Sequence, residues 1–147
     1  MKRLLVVGMS AMLMLAWSMG RVQGQIEQVK AQDKVLFASA DHANFKSTAP
    51  GVSSAAIWGD GDKGAHATFT KFAPGQDNGW HTHTNDTWIV GIKGAYVYKD
   101  DAGEKRIGPG VFLRVPGGHK HWSGGDAKEG ALFYEEGSGK FDLIPAK

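Results

Sequence analysis

Eighteen of the 21 glycines fall after residue 50. They cut that part of the chain into short runs of β-branched and aromatic residues, and this punctuation restricts the fold more than any other feature. The runs are Ala55–Trp58, Ala65–Phe72, Trp88–Ile92, Ala95–Lys99, Val111–Val115 and Ala131–Glu135. Between them lie clusters that favour turns, among them Gly59-Asp60-Gly61-Asp62, Pro74-Gly75, Gly108-Pro109-Gly110 and Gly124-Gly125-Asp126. Many short strands at this spacing predict an all-β sandwich or barrel. No long segment carries a helical period, and no internal repeat or linker to a second domain is evident. A small closed barrel would fill its interior with one face of each strand. Within Ala65–Phe72, alternation separates His66, Thr68, Thr70 and Phe72 from Ala67, Phe69 and Lys71.

The first residues have a different character. Met1-Lys2-Arg3 precedes a run from Leu4 to Met19 that is apolar apart from Gly8, Ser10 and Ser18. This is the pattern of a secretory signal peptide, and Val22-Gln23-Gly24 suits cleavage after Gly24. The run is shorter than the ~20 residues a membrane-spanning helix needs, so no stable membrane anchor is expected after cleavage. The expected organisation is a signal peptide over 1–24, an N-terminal arm over 25–50 and a β domain over 51–147. The expected location is periplasmic or secreted. The whole chain has a formal charge of +2, but three basic residues lie in the leader, leaving 14 basic and 15 acidic residues. With no basic run and no aromatic-plus-basic platform, nucleic-acid binding is not expected. There is no cysteine, so no disulfide contributes to stability.

The segment "GWHTHTNDTW", residues 79–88, places His81 and His83 one residue apart. On a strand, both imidazoles would project from the same face. The carboxylate that a metal site would take a few residues later is missing, and Thr87 stands there. Reading outward, Gly75 is followed by five residues, His81-Thr82-His83, three residues, Thr87, six residues and Gly94. Further on, Gly110 is followed by five residues, Pro116-Gly117-Gly118, two residues and His121.

These two blocks resemble the paired motifs of the cupin superfamily, G-x5-H-x-H-x3-E-x6-G and G-x5-P-x-G-x2-H-x3-N. Two positions depart: Thr87 replaces the glutamate and Gly125 the asparagine. The resemblance runs from about Ala65 to Glu136. It implies a small antiparallel jelly-roll β-barrel with a metal near the barrel mouth, held here by His81, His83 and His121. Three imidazoles suit a divalent transition metal such as iron, zinc, copper or nickel, and the missing carboxylate disfavours manganese. Some cupin dioxygenases use a three-histidine iron site. The resemblance therefore implies a small-molecule metalloenzyme, dioxygenase-like in character, or else a non-catalytic binding module for metal or a small ligand. A degenerate cupin with a structural role is a third reading. A homodimer is the default expectation for the family.

Several assignments stay open at this level. His119 is two residues from His121 and competes with it as a ligand. Asp86 adjoins Thr87 and would supply a carboxylate if the turn after His83 shifted the register. His66 is either a ligand or a hydrogen-bonded wall residue. Phe69, Ile89, Phe112 and Phe133 are the expected pocket lining. Trp80 and Trp122 adjoin the histidines and should turn away from them. Glu135 and Glu136 read as a solvated strand end, and Arg114 and Lys93 as surface charges or as cations for an anionic substrate.

Overall fold

A computed structural model describes residues 35–147; the expected signal peptide and residues 25–34 of the expected arm lie outside the described residues. Residues 35–37 carry no regular structure, and the compact unit considered below spans Ala38–Lys147. After a single 3-10 turn at Ala40–His42 it is built from strands. These are β1 (Lys46–Ala49), β2 (Val52–Gly59), β3 (His66–Phe72), β4 (Asp77–Thr82), β5 (Thr87–Gly94) and β6 (Tyr96–Asp100). They continue with β7 (Gly103–Ile107), β8 (Phe112–Val115), β9 (His121–Gly125), β10 (Ala131–Gly137) and β11 (Ile144–Pro145). Each run picked out by its β-forming residues lies within or overlaps a strand. β1 belongs to the stretch expected as an arm, yet it pairs with β2.

The strands form two antiparallel sheets, ordered β1-β2-β3-β10-β5-β8 and β11-β4-β9-β6-β7. This is a jelly-roll arrangement, but the closed barrel is corrected to two sheets that do not close. The edge strands β1 and β8 of one sheet form no ladder with β11 and β7 of the other. A sandwich of this kind needs only one apolar face per sheet.

In the hydrophobic core Ile89, Tyr96, Tyr98, Ile107, Val115, Ala131 and Phe133 pack together, with Phe72 and Leu113 against them. Phe133 stands edge-on to Phe72, with ring centroids 4.9 Å apart, and to Tyr96, at 5.0 Å. Gly94 ends β5 in the left-handed region, at φ +64°, and a Cβ there would lie 2.3 Å from the Gly130 carbonyl oxygen. The glycine spacing thus marks a place where two backbones touch.

Phe133 is the largest fully buried side chain. Phe133→Ala is expected to lower unfolding free energy by about 3–5 kcal/mol, read from the urea midpoint at constant m.

Candidate metal centre

β4 and β9 are neighbours, and their register sets His81 opposite His121 and Trp80 opposite Trp122. Alternation then sends the two imidazoles to the inner face of the sheet and the two indoles to the outer one. On that outer face Trp122 Nε1 donates to Asp77 at 2.7 Å, and Lys99 and Lys120 lie over the rings of Trp122 and Trp80. His83 is the first residue beyond β4. Ring centroids are 4.3 Å apart for His81 and His121, 4.9 Å for His81 and His83, and 5.3 Å for His83 and His121. One ligating atom from each of the three lies within 4.8 Å of the others, and all three residues are buried.

Backbone carbonyls fix the orientation of each ring. His81 Nδ1 donates to the Gly79 carbonyl at 2.8 Å, His121 Nδ1 to that of His119 at 3.0 Å, and His83 Nδ1 to that of Asp142. A carbonyl only accepts, so each Nδ1 carries a proton and each Nε2 is the ring atom left to ligate. His121 Nε2 is buried without a hydrogen-bond partner among the described residues. An orphaned acceptor of this kind costs about 1–3 kcal/mol unless something satisfies it. Three clustered imidazoles, one of them orphaned, fit a divalent metal ion. Burial holds His121 in its neutral form by pushing its pKa down to about 4, and burial lowers that of His81 as well, with His83 adding to the effect.

Loops hold these strands in register. The Gly118 amide donates to the His83 carbonyl at 2.7 Å. A Cβ on Gly117 would stand 2.4 Å from the Thr84 carbonyl oxygen, so the turn before His121 sits directly on the loop after His83. Asp142 accepts from the Thr84 amide at 2.8 Å and from its hydroxyl at 2.5 Å while its carbonyl holds His83. Pairing of β11 with Thr82 and His81 carries this strap across the site.

The remaining sequence candidates fall in different places. His119 is exposed, with Nε2 3.4 Å from Asp100, and serves the site only through its carbonyl. Asp86 is held by Arg114, at 2.6 Å, and by the Gly117 amide, at 2.9 Å, so its carboxylate is committed outside the histidine cluster. Thr87 is buried and borders a hollow of about 10 Å³, room for roughly one water, with His66, His83 and Glu135. His66 is a wall residue whose Nδ1 lies 3.0 Å from the Gly64 carbonyl and 3.2 Å from that of Gly139.

A larger cavity of about 460 Å³ opens against His81 and His83. One wall carries Ser54, Thr68, Thr70 and Glu135, the facing wall Asn78, Tyr96 and Ser123, with Phe72, Phe141 and Leu143 supplying apolar surface. None of the four residues expected to line a pocket borders it. Ile89 and Phe133 belong to the core, Phe69 packs edge-on against Tyr134 on the opposite face of its sheet, and Phe112 is 61% exposed. The alternation expected for β3 holds, and the face that lines the cavity is that of His66, Thr68, Thr70 and Phe72 rather than that of Phe69.

The Cupin domain family model matches residues 68–135. Residues 68–135 form a cupin domain. Solved cupin-like folds agree. The polyketide cyclase RemF from Streptomyces resistomycificus is 15% identical, with a TM-score of 0.63, covering 78% of this chain and 87% of its own. A protein of unknown function with a cupin-like fold from Ralstonia eutropha is 21% identical, with a TM-score of 0.63 and coverages of 78% and 79%. A sugar phosphate isomerase of the cupin superfamily from Silicibacter pomeroyi is 21% identical, with a TM-score of 0.53 and coverages of 69% and 74%. At such identities the likeness concerns the fold alone. No curated protein matches the sequence.

Glu135 is the residue of this cupin that the sequence reading misplaced. It does not form a solvated strand end with Glu136; its carboxyl borders the cavity beside His66 and His83. Burial raises its pKa above the ordinary carboxyl range, partly opposed by His83 and His66. Alternation along β10 carried the signal, because Phe133 was already read as inward and Glu135 lies two residues on.

Histidines held below their ordinary pKa of 6.5 give the metal-free protein a defined pH response. Between pH 6.5 and about 4 the unfolded chain binds more protons at His121 than the folded one, so stability falls as pH is lowered through that window. Thermal melts of metal-free protein from pH 7 to pH 4 should decline, and the decline should shrink in His121→Gln.

Proposed function

We propose that this chain is an exported cupin in which His81, His83 and His121 hold a divalent transition metal at the end of a small-molecule cavity. The observation that carries this reading is the buried, unpartnered Nε2 of His121 turned towards two imidazoles of the same tautomer. An all-nitrogen donor set suits iron, zinc, copper or nickel better than manganese. Bound there, the ion would act as a Lewis acid on oxygen donors of a molecule in the cavity. The chain's own residues bury the three histidines and line the cavity with hydroxyls, an amide and a carboxyl. Metal-assisted conversion of a small molecule, dioxygenase-like, is the activity proposed. The similar folds include proteins described as a polyketide cyclase and a sugar phosphate isomerase. A non-catalytic carrier is the second reading, favoured by the neutral Thr87 at the usual carboxylate position and by the commitment of Asp86 to Arg114.

Metal analysis of protein from its native compartment decides the first point. Wild type should carry near one equivalent, and His81→Ala or His121→Ala should fall below about a tenth of an equivalent. Metal-poor wild type would end both readings. Thr87→Glu should shift metal preference towards manganese, since the new carboxylate enters the hollow beside His83; an unchanged preference would mean that position 87 does not address the metal. Oxygen consumption by iron-loaded protein with diketones, phenols and thiols separates enzyme from carrier. For export, the N-terminus of the mature protein should be Gln25, and an intact Met1 in the native compartment would end that part of the reading.

A further inference from the structure

The wall of the large cavity has a lopsided charge. Among the described residues its ionisable lining groups are Asp60, Asp62, Glu135, Tyr96 and the histidines, with no lysine or arginine. Asp60 is occupied by Lys63 at 2.6 Å on the exposed rim. Arg114, the cation the sequence offered for an anionic substrate, is bound to Asp86, and Lys93 borders a different depression. Glu135 itself has one weak partner, the Thr70 hydroxyl at 3.4 Å. That hydroxyl is in turn linked to Thr68 at 3.0 Å and Ser54 at 3.1 Å. On the facing wall, Asn78 donates to Ser123 at 3.0 Å.

The position of Glu135 explains why this matters. On β10, Gly137 lies opposite Thr87, and Glu135 is two residues away on the same face, opposite Ile89. The carboxyl missing at position 87 therefore reappears one strand over. There it borders the cavity, and it is not part of the cluster of ligand atoms that lie within 4.8 Å of one another. As a carboxylate beside these hydroxyls, with no lysine or arginine among the described lining residues, Glu135 accepts a ligand hydroxyl. It repels a ligand carboxylate or phosphate.

We propose that Glu135 is the specificity-determining residue of this cavity, selecting uncharged, hydroxyl-bearing cyclic molecules and rejecting anions of the same size. The ring is argued from Phe72 and Phe141 in the lining, the hydroxyls from the two polar walls. The proposal deepens the small-molecule reading above and rests on the same cavity.

The test pairs benzene-1,2-diol with 2-hydroxybenzoate, which share a ring and two adjacent oxygen donors but differ in charge. Both are titrated calorimetrically into zinc-loaded and metal-free wild type and Glu135→Gln, with metal content measured throughout. Any attraction of the ion for the anion is common to wild type and variant, so the change in the binding ratio isolates Glu135. Wild type should favour the diol, and Glu135→Gln should shift the ratio towards 2-hydroxybenzoate by about tenfold or more with zinc content unchanged. A ratio unmoved by the substitution, a preference of wild type for the anion, or no binding of the diol in either form would each overturn the proposal. Absence of zinc from wild type would instead overturn the metal reading, and the metal-free titrations would still decide the role of Glu135.

Discussion

The cross-strand pairing of His81 with His121 is the constraint on which the site depends. Because β4 and β9 are antiparallel neighbours in register, two imidazoles are brought side by side by backbone hydrogen bonds alone. Everything added afterwards restricts rotation: each Nδ1 is bound to a carbonyl, and His83 is drawn in from the loop by the strap that carries Asp142. The lone pairs converge because the sheet leaves the rings few other orientations. Donor geometry of this kind is set by the fold itself, so little reorganisation would oppose a cation that bound there.

Much of this was legible in the sequence, for identifiable reasons. Glycines at fixed offsets mark close backbone approaches such as Gly94 against Gly130 and Gly117 against Thr84, where no side chain fits. The three histidines followed from the same spacing. Less legible were features set by long-range register. β4, with Asp77, Asn78 and Gly79, and β9, with Gly124 and Gly125, hold too many strand-disfavouring residues to announce themselves by β propensity, although they carry the site. Phe69 and Phe112 are large and apolar, yet sheet parity sends Thr68 and Thr70 to the cavity, leaves Phe69 to pack with Tyr134 and leaves Phe112 exposed. Asp142 as a partner of His83 could not be foreseen from spacing, because 59 residues separate them.

Core and cavity share residues from both sheets. Phe72 and Tyr96 pack with Phe133 and also line the cavity, and Tyr98 of the core stacks on His121 with ring centroids 5.4 Å apart. Hydroxyl and amide side chains inside a sandwich weaken its packing relative to an apolar fill, so the polar lining contributes less to stability than the core.

The long sequence separation of the site's parts has a consequence for energetics. His81 and His83 are neighbours, but His121 arrives through β9 and the carbonyl of Asp142 through the strap, so the unfolded chain holds at most the His81–His83 pair. A cation able to use all three imidazoles then discriminates sharply between folded and unfolded chain. Its binding free energy is converted almost entirely into protection of the whole sandwich against unfolding, growing with the logarithm of free metal concentration.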